Sequence, residues 1–319
     1  MIRSEIQPIA ESPAVNDATP FVSVVIPVFN DAVRLQRCLE ALEQQTYPSD
    51  RYEVIVVDNG SDSEAQIAQV VAACPQAIVS QELTPGSYAA RNKGISMAQG
   101  EVIAFTDADC IPALNWIEQG VRYLTQTPNC GLVVGRIEMF FEENRETPVA
   151  LYESVTAFPQ EQLLKEHQGG ATANVFTFKR VIEQVGAFNP YLKARGDLEW
   201  GKRVYQSGYS QQFASDVQVA HPARSSYSDL YKRTVRLAGG IYDLQQLQSH
   251  SSLKRHFQFS RTLIQNLVPP VSFIWNTLFD PRLPRLDQKL KVAWVMILVR
   301  YVSAWEMLRL KLGGQSFRG

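Results

Sequence analysis

Two acidic residues, Asp107 and Asp109, directly follow a short apolar run at residues 102–105. A run of that length with β-branched residues predicts a buried strand, and ligands of open α/β sheets bind beyond the carboxyl ends of the strands. Because alternate residues of an extended chain point to the same side, both carboxylates could bind one hard cation. The other interpretation is a polar turn, since aspartate is common in turns.

Three further polar segments come at or just after the ends of predicted strands, at residues 27–30, 58–62 and 85–94. Each has a simpler structural explanation, and Asp58 could serve only as a helix cap. The carboxyl ends of parallel strands share one edge of a sheet, however, so we expect these segments and the Asp107–Asp109 segment to meet there.

The elements that must position these residues alternate between short apolar strands and amphipathic helices, which predicts a mostly parallel sheet with helices on its faces. Strands are predicted at 22–28, 53–57, 77–81 and 102–105, and helices at 32–45, 64–74 and 87–98. No GxGxxG motif follows the first strand, so the pattern does not favour a dinucleotide-binding dehydrogenase.

Beyond residue 132 the chain first mixes strands with helices and then becomes helical. Strands are predicted at 133–139, 174–178 and 213–220, with helices at 151–166 and 198–206. After His221, helices are predicted at 229–247, 254–267 and 289–312, separated by proline-rich breaks.

The bulk composition is that of an ordinary globular protein, with 319 residues of which 45% are hydrophobic and 20% charged. The net charge of −1 gives no basic bias of the kind that nucleic-acid binding requires, so we expect no nucleic-acid partner. The four cysteines form no CxxC pair, which favours free thiols in a reducing cytosol. Residues 1–20 have no apolar core, so we expect neither a signal peptide nor an anchor there.

Four stretches together carry a resemblance to a known family: VVIPVFN at 24–30, VVDNGSD at 56–62, ARNKG at 90–94 and DAD at 107–109. In this order they resemble the family 2 inverting glycosyltransferases of GT-A fold, of the bacterial cell-envelope and polysaccharide type. The resemblance covers about residues 21–224 and depends on the ordered set, because a lone DxD is a weak signal. It implies an α/β, Rossmann-like, mostly parallel sheet flanked by helices.

The resemblance also implies a domain organisation. Residues 21–224 would form the GT-A catalytic domain, with a nucleotide-sugar-binding half at 21–132 and an acceptor-binding half at 133–224. Residues 1–20 are expected to be a flexible segment. Residues 225–319 are expected to form a C-terminal helical extension that could contact a membrane.

By the same resemblance, the first half binds the donor. Pro27 and Asn30 would line the nucleotide pocket, and Asp58 would accept a hydrogen bond from the base. Arg91 would contact the nucleotide or the diphosphate, and Asp107 would contact the ribose or support the metal.

The metal expected from the resemblance is Mg²⁺ or Mn²⁺, with Asp109 as its main ligand and Asp107 beside it. Carboxylates repel a diphosphate unless a divalent cation bridges them, and such a cation also stabilises the diphosphate as it leaves. His221 follows the last predicted strand, where a family histidine joins the metal or contacts phosphate. A lone histidine is otherwise more often structural.

The acceptor side is expected to contain the catalytic base. Asp197, before the helix predicted at 198–206, matches the family's base, although it could also cap that helix. The family often has glutamate where this chain has Gly196, which puts a paired-carboxylate base in doubt and leaves Asp197 itself unaffected. The resemblance places the acceptor beside Gly170, Asn174, Glu199 and Trp200; for the glycine-rich segment before Asn174, a simple loop is an equally good interpretation.

Two features of the C-terminal part could contact lipid, and each has a simpler explanation. The run Lys232, Arg233 and Arg236 lies on a predicted helix, where it could be a solvated face or could meet a lipid-linked diphosphate or anionic head groups. The helix at 289–312 interleaves tryptophans with basic residues, which fits an interfacial helix and fits packing on the catalytic domain nearly as well. Its apolar run at 292–299 is too short to span a membrane.

The motifs and the resemblance together predict a metal-dependent, inverting glycosyltransferase that is cytoplasmic and could lie on the inner face of the plasma membrane. The resemblance alone implies a role in polysaccharide or cell-envelope glycan synthesis. We expect a nucleotide-diphosphate sugar, a UDP-sugar first, as donor and a glycan or lipid-linked acceptor. The processive QxxRW motif is absent, which favours transfer of one sugar per encounter. One alternative is a sugar nucleotidyltransferase, which would need a basic, glycine-rich loop that residues 27–30 lack; the other is a GT-A-like binding protein without catalysis.

Overall fold

The structure is a computed structural model that describes residues 19–248 and 251–316. The predicted flexible segment at 1–20 lies, apart from its last two residues, outside the described residues. The described strands are β1 (Val22–Val28), β2 (Tyr52–Asp58), β3 (Ala77–Gln81), β4 (Val102–Thr106), β5 (Ile111–Pro112), β6 (Cys130–Phe140), β7 (Asn174–Phe178) and β8 (Ser210–Pro222).

These strands form one mixed sheet in the order β3-β2-β1-β4-β7-β6-β8-β5. Strands β1 to β4 pair in parallel, as the alternation of strands and helices predicts. The second half departs from this pattern, because β7 runs antiparallel to both β4 and β6 while β6 and β8 pair in parallel.

The helices are α1 (Ala32–Glu43), α2 (Ile67–Ala72), α3 (Ser87–Met97), α4 (Trp116–Gln126), α5 (Pro148–Thr156), α6 (Gln160–His167), α7 (Lys179–Val185), α8 (Gly196–Gln206), α9 (Tyr227–Gln248), α10 (Ser252–Leu267), α11 (Val271–Leu278) and α12 (Leu286–Lys311). The sequence analysis did not predict α4, α7 and α11. The helix predicted at 151–166 is wrong as a single element: α5 and α6 are separate, since Phe158 has a positive φ of 48° and Pro159 follows it.

The main core lies on both faces of the sheet, which explains why β1, β2 and β4 are almost continuously apolar. Helix α3 packs directly on β1 at Gly94, where an added Cβ would lie 2.4 Å from Cγ1 of Val25. This close approach positions the preceding turn of α3, with Arg91, at the carboxyl end of β1.

A second, smaller core joins the C-terminal helices to the rest of the protein. It brings Val149 and Tyr152 of α5 against Leu230 of α9 and against Val292 and Val295 of α12. The helical extension is therefore anchored through α5. Among the helices that the structure describes, none is long and apolar enough to cross a membrane.

Candidate active site

A cavity of about 640 Å³ opens at the edge of the sheet where β1 and β4 end. The predicted site residues that line it are Pro27, Arg91, Asp107, Asp109, Asp197 and His221. They come from five separate segments, so the fold brings together residues that lie up to about two hundred positions apart in sequence.

Hydrogen bonds join the loops that follow β1 and β2 beside this cavity. Asn30 adopts a positive φ of 52°, and its side-chain amide donates to Asp62 Oδ2 at 2.8 Å while its Oδ1 accepts from the Asp62 amide at 2.8 Å. Asn59 Oδ1 accepts from the Gly86 amide at 2.6 Å, which ties the loop before α3 to the same edge. The polar segments that follow the strands therefore lie together at this edge, as predicted.

Two predicted donor residues lie outside the cavity lining. Asn30 uses both ends of its side chain to hold the neighbouring loop, as described above, so its role here is to shape the wall. Asp58 Oδ1 accepts from the Ser61 amide at 2.9 Å and closes the turn at Gly60. The other Asp58 oxygen makes no hydrogen bond with the described residues.

Arg91 and Asp107 form an ion pair inside the cavity. Arg91 is only 3% exposed, and its Nη2 donates to Asp107 Oδ1. Its Nε is buried without a hydrogen-bond partner in the described part of the chain. Because Asp107 already has a cationic partner, its carboxylate is less available to a metal than that of Asp109.

Asp109 faces His221, with 3.3 Å between Oδ2 and Nε2. Nδ1 of His221 lies 2.9 Å from the carbonyl oxygen of Pro222, which can only accept, so Nδ1 carries the proton in the neutral ring. Nε2 then directs a lone pair towards a carboxylate, and a cation bound between these two acceptors would hold them together. The donor set therefore fits a divalent metal ion.

Burial affects the protonation of Asp109 and of its neighbour Cys110. Loss of hydration raises the pKa of the Asp109 carboxyl. The Cys110 sulfur lies within 4.8 Å of both ligand atoms, but burial raises the pKa of its thiol well above the usual value. A protonated thiol is a poor ligand for a hard cation, so Asp109 and His221 are the candidate ligands.

Asp197 stands at the start of α8 with one oxygen in use. Its Oδ1 accepts from the Tyr88 hydroxyl at 3.2 Å and from the Leu198 amide at 2.9 Å, and Oδ2 makes no hydrogen bond with the described residues. Burial raises the pKa of Asp197, although the hydrogen bond from Tyr88 lowers it. A carboxylate with a raised pKa and a free oxygen can accept a proton.

Tyr88 also explains the missing glutamate before Asp197. The Gly196 amide donates to the Tyr88 hydroxyl at 2.9 Å, and a Cβ at Gly196 would lie 2.7 Å from the Tyr88 ring. Tyr88 thus fills the space that a side chain there would need. Sequence reasoning missed this residue, but its position one helical turn before Arg91 was an available signal.

Four arginines complete the cavity wall, and sequence reasoning did not place them there. They are Arg195, Arg224, Arg233 and Arg236. Two of them, Arg233 and Arg236, belong to the basic run on α9, whereas Lys232 of the same run is exposed. The run therefore has one face towards the cavity and one towards solvent.

Two predicted acceptor residues are structural, and we do not carry them into the proposed site. Trp200 is 1% exposed in the core, where its indole N–H donates to the Gly186 carbonyl at 2.9 Å. Asn174 is fully buried, accepts from the Trp116 indole at 2.9 Å and donates to the Val217 carbonyl at 2.9 Å. Neither side chain lines the cavity.

The other two predicted acceptor residues lie just behind the wall. A Cβ at Gly170 would lie 2.4 Å from Cγ1 of Val134, so glycine is required by packing there, while Thr172 lines the cavity. Glu199 pairs with Arg203 at 2.8 Å and lines a second, smaller cavity of about 270 Å³.

Comparison with known proteins agrees with this architecture. The family model described as Glycosyl transferase family 2 matches residues 23–186, just over half of the chain. Glycosyltransferase AglE of Haloferax volcanii is 38% identical over 253 residues, covering 78% of this chain and 82% of that protein. The pre-mycofactocin glycosyltransferase of Mycobacterium tuberculosis is 28% identical over 231 residues, covering 70% of this chain but 47% of that longer protein.

Among solved structures, the mannosyltransferase PcManGT from Pyrobaculum calidifontis, in complex with GDP-Man and Mn²⁺, is similar with a TM-score of 0.61. The alignment covers 96% of this chain and 91% of that one at 17% identity, which is evidence for the fold alone. The family match, the 38% identical relative and the shared architecture lead to one conclusion: the chain belongs to glycosyltransferase family 2 and has the GT-A fold.

Proposed function

We propose that this glycosyltransferase moves a sugar from a nucleotide-diphosphate sugar to an acceptor hydroxyl, with inversion and with the help of a divalent cation. The observation that carries the proposal is the presence of the Asp109–His221 pair and of Asp197 in one cavity. A solved protein of the same fold was captured with GDP-Man and Mn²⁺, which supports a donor of this class.

For the donor, we propose contacts along the edge where β1, β2 and β4 end. Pro27 would lie against the nucleotide, and the free oxygen of Asp58 would accept a hydrogen bond from the base at the cavity mouth. Arg91 would bring a fixed positive charge to the diphosphate, and its partner Asp107 would accept from the ribose. A UDP-sugar remains our first choice of donor, beside GDP- and dTDP-sugars.

For the cation, we propose Mg²⁺ or Mn²⁺ held by Asp109 and His221, with Asp107 nearby. When bound, such a cation would offset the charge of the leaving diphosphate as a Lewis acid. The histidine ring is preset for this role, because its Nδ1–H is committed to the Pro222 carbonyl.

For the acceptor, we propose Asp197 as the general base. Its free Oδ2 would take the proton of the acceptor hydroxyl, which then attacks the anomeric carbon from the side opposite the diphosphate and inverts it. The raised pKa of Asp197 makes it a stronger base, and activity should rise with pH as this carboxyl loses its proton.

The test is a donor screen followed by one variant. UDP-, GDP- and dTDP-sugars are incubated with Mg²⁺ or Mn²⁺, and released nucleotide diphosphate is measured. With the active donor, Asp197→Asn should bind the nucleotide normally and lose about 10²- to 10⁴-fold in transfer. Asp216→Asn is the matched control, because Asp216 forms a half-exposed pair with Arg122 outside the cavity.

Three outcomes would contradict the proposal. Near-native transfer by Asp197→Asn would exclude it as the base. If the protein turned over none of the nucleotide sugars, it would be a binding protein without catalysis. Release of pyrophosphate from a nucleoside triphosphate and a sugar phosphate would identify a nucleotidyltransferase instead.

We also propose that the C-terminal helices rest on a membrane surface. One side of α12 packs on α5 through Val292 and Val295, while the other carries an exposed apolar stripe at helical spacing. Its members are Leu286, Leu290, Trp294, Tyr301, Trp305 and Leu308.

Charge supports an anionic membrane as the partner of this stripe. Residues 251–316 hold ten lysines and arginines against three acidic residues, whereas the whole chain has a net charge of −1. Apolar side chains flanked by basic ones are typical of helices that lie in the membrane interface. An enzyme at a membrane surface could use a glycan or lipid-linked acceptor in envelope glycan synthesis, which we propose here. Its location on the cytoplasmic side of the membrane remains a prediction.

A further inference from the structure

Three guanidinium groups line one part of the cavity wall, and a single buried carboxylate pairs with two of them. Glu153 of α5 is fully buried, and its Oε2 lies 2.9 Å from Nη1 of Arg224 while its Oε1 lies 3.3 Å from Nη1 of Arg233. Arg236, one turn further along α9, makes no hydrogen bond or ion pair with any residue that the structure describes. All three arginines line the cavity, and Glu153 does not.

Glu153 is thus shared by Arg224 and Arg233, and Arg236 has no carboxylate in direct contact among the described residues. Burial lowers the pKa of both Arg233 and Arg236, and the neighbouring arginine charges act in the same direction. A cation taken out of water is costly unless an anion and hydrogen bonds replace its hydration. An anionic ligand in the cavity would offset that cost, and guanidinium forks match the oxygens of a phosphate.

We propose that Arg236, Arg233 and Arg195 form a subsite that binds a phosphate group of the acceptor. The inference rests on the proposed function, since it assumes that the acceptor enters beside Asp197. Arg195 lies two residues before that base, and Arg236 lines the same cavity as Asp197 and its hydrogen-bond donor Tyr88. The subsite thus adjoins the base.

The donor end of the cavity has its own positive groups. Arg91 and the cation proposed at Asp109 and His221 are available to the donor diphosphate. The guanidinium groups on α9 come from a different element, and one of them, that of Arg233, is anchored through Glu153 on α5. We therefore assign the α9 arginines to the acceptor, which defines the acceptor as a phosphate-bearing molecule.

Binding of octyl phosphate tests the subsite directly. Calorimetric titrations are run with the nucleotide diphosphate of the active donor and Mn²⁺ at saturation, so that the donor end is filled. Arg236→Gln should weaken octyl phosphate binding about 10- to 100-fold, the range for a lost hydrogen bond to a charged group. Lys232→Gln, which removes the same charge from the exposed face of α9, should leave it unchanged.

Two further probes separate the sources of the phosphate. If the acceptor group is a water-soluble phosphate, inorganic phosphate should bind with the same dependence on Arg236 as octyl phosphate. If it is a lipid phosphate, inorganic phosphate should bind more weakly than octyl phosphate. Octyl glucoside, which has the chain and no charge, should not respond to Arg236→Gln.

Equal affinity of wild type and Arg236→Gln for octyl phosphate, or no binding at all, would overturn the inference. So would an equal loss of nucleotide diphosphate affinity in Arg236→Gln, because the arginine would then belong to the donor. These outcomes are distinct from failure of the proposed function, which would appear as absent donor turnover. In that case octyl phosphate titrated without nucleotide still tests the subsite.

Discussion

Removing the hydroxyl of Tyr88 should change the pH at which the enzyme becomes active. Tyr88 donates to Asp197 Oδ1 at 3.2 Å, and this bond lowers the pKa of a carboxyl that burial otherwise raises. In Tyr88→Phe the carboxylate loses that donor, so the pKa of Asp197 rises further. Because the base acts only when deprotonated, the acid limb of the rate profile moves to higher pH.

The size of the shift follows from the strength of the bond. A hydrogen bond to a charged group contributes about 1.5–3 kcal/mol, and about 1.4 kcal/mol corresponds to one pKa unit. The acid limb of kcat/KM should therefore move up by about 1–2 pH units. The variant should also lose roughly 1–3 kcal/mol in its free energy of unfolding, since the buried Gly196 amide loses its acceptor.

The assay measures kcat/KM for sugar transfer against pH in both proteins, with urea denaturation as a check of folding. Tyr47→Phe is the matched control: Tyr47 is as buried as Tyr88, and its hydroxyl donates to the Pro20 carbonyl at 2.6 Å, away from the cavity. An acid limb that stays in place in Tyr88→Phe, or moves equally in Tyr47→Phe, would refute the reasoning.

Two other predictions concern the cation and the membrane. Asp109→Ala should abolish the gain in nucleotide diphosphate affinity that Mn²⁺ gives the wild type, because Asp109 and His221 lie 3.3 Å apart as the candidate ligands; undiminished Mn²⁺-dependent affinity would contradict the assignment. Replacing both Trp294 and Trp305, which are 61% and 66% exposed, by serine should reduce sedimentation with anionic liposomes about tenfold or more. Leu83→Ser, at an exposed site on the catalytic domain, is the control, and wild type that never binds such liposomes would rule the surface out.

The sequence by itself determined the family and the fold of the first half. Residues 22–106 alternate apolar strands and helices, and that local periodicity is a direct consequence of burial on both sides of a parallel sheet. The same rule predicted that Asp107 and Asp109 would lie at the edge where other strand ends meet. The four motifs then identified the family, which the comparisons confirm.

Only the tertiary structure decided which side of each helix faces the cavity. Lys232 and Arg233 are neighbours in sequence, yet only the second lines the cavity, because the packing of α9 on α12 and the Arg233–Glu153 ion pair set the rotation of α9. Trp200 was expected beside the acceptor and is instead in the core, since helix α8 turns that side chain inward. Sequence periodicity gives the spacing of such residues, whereas their direction depends on contacts between distant elements.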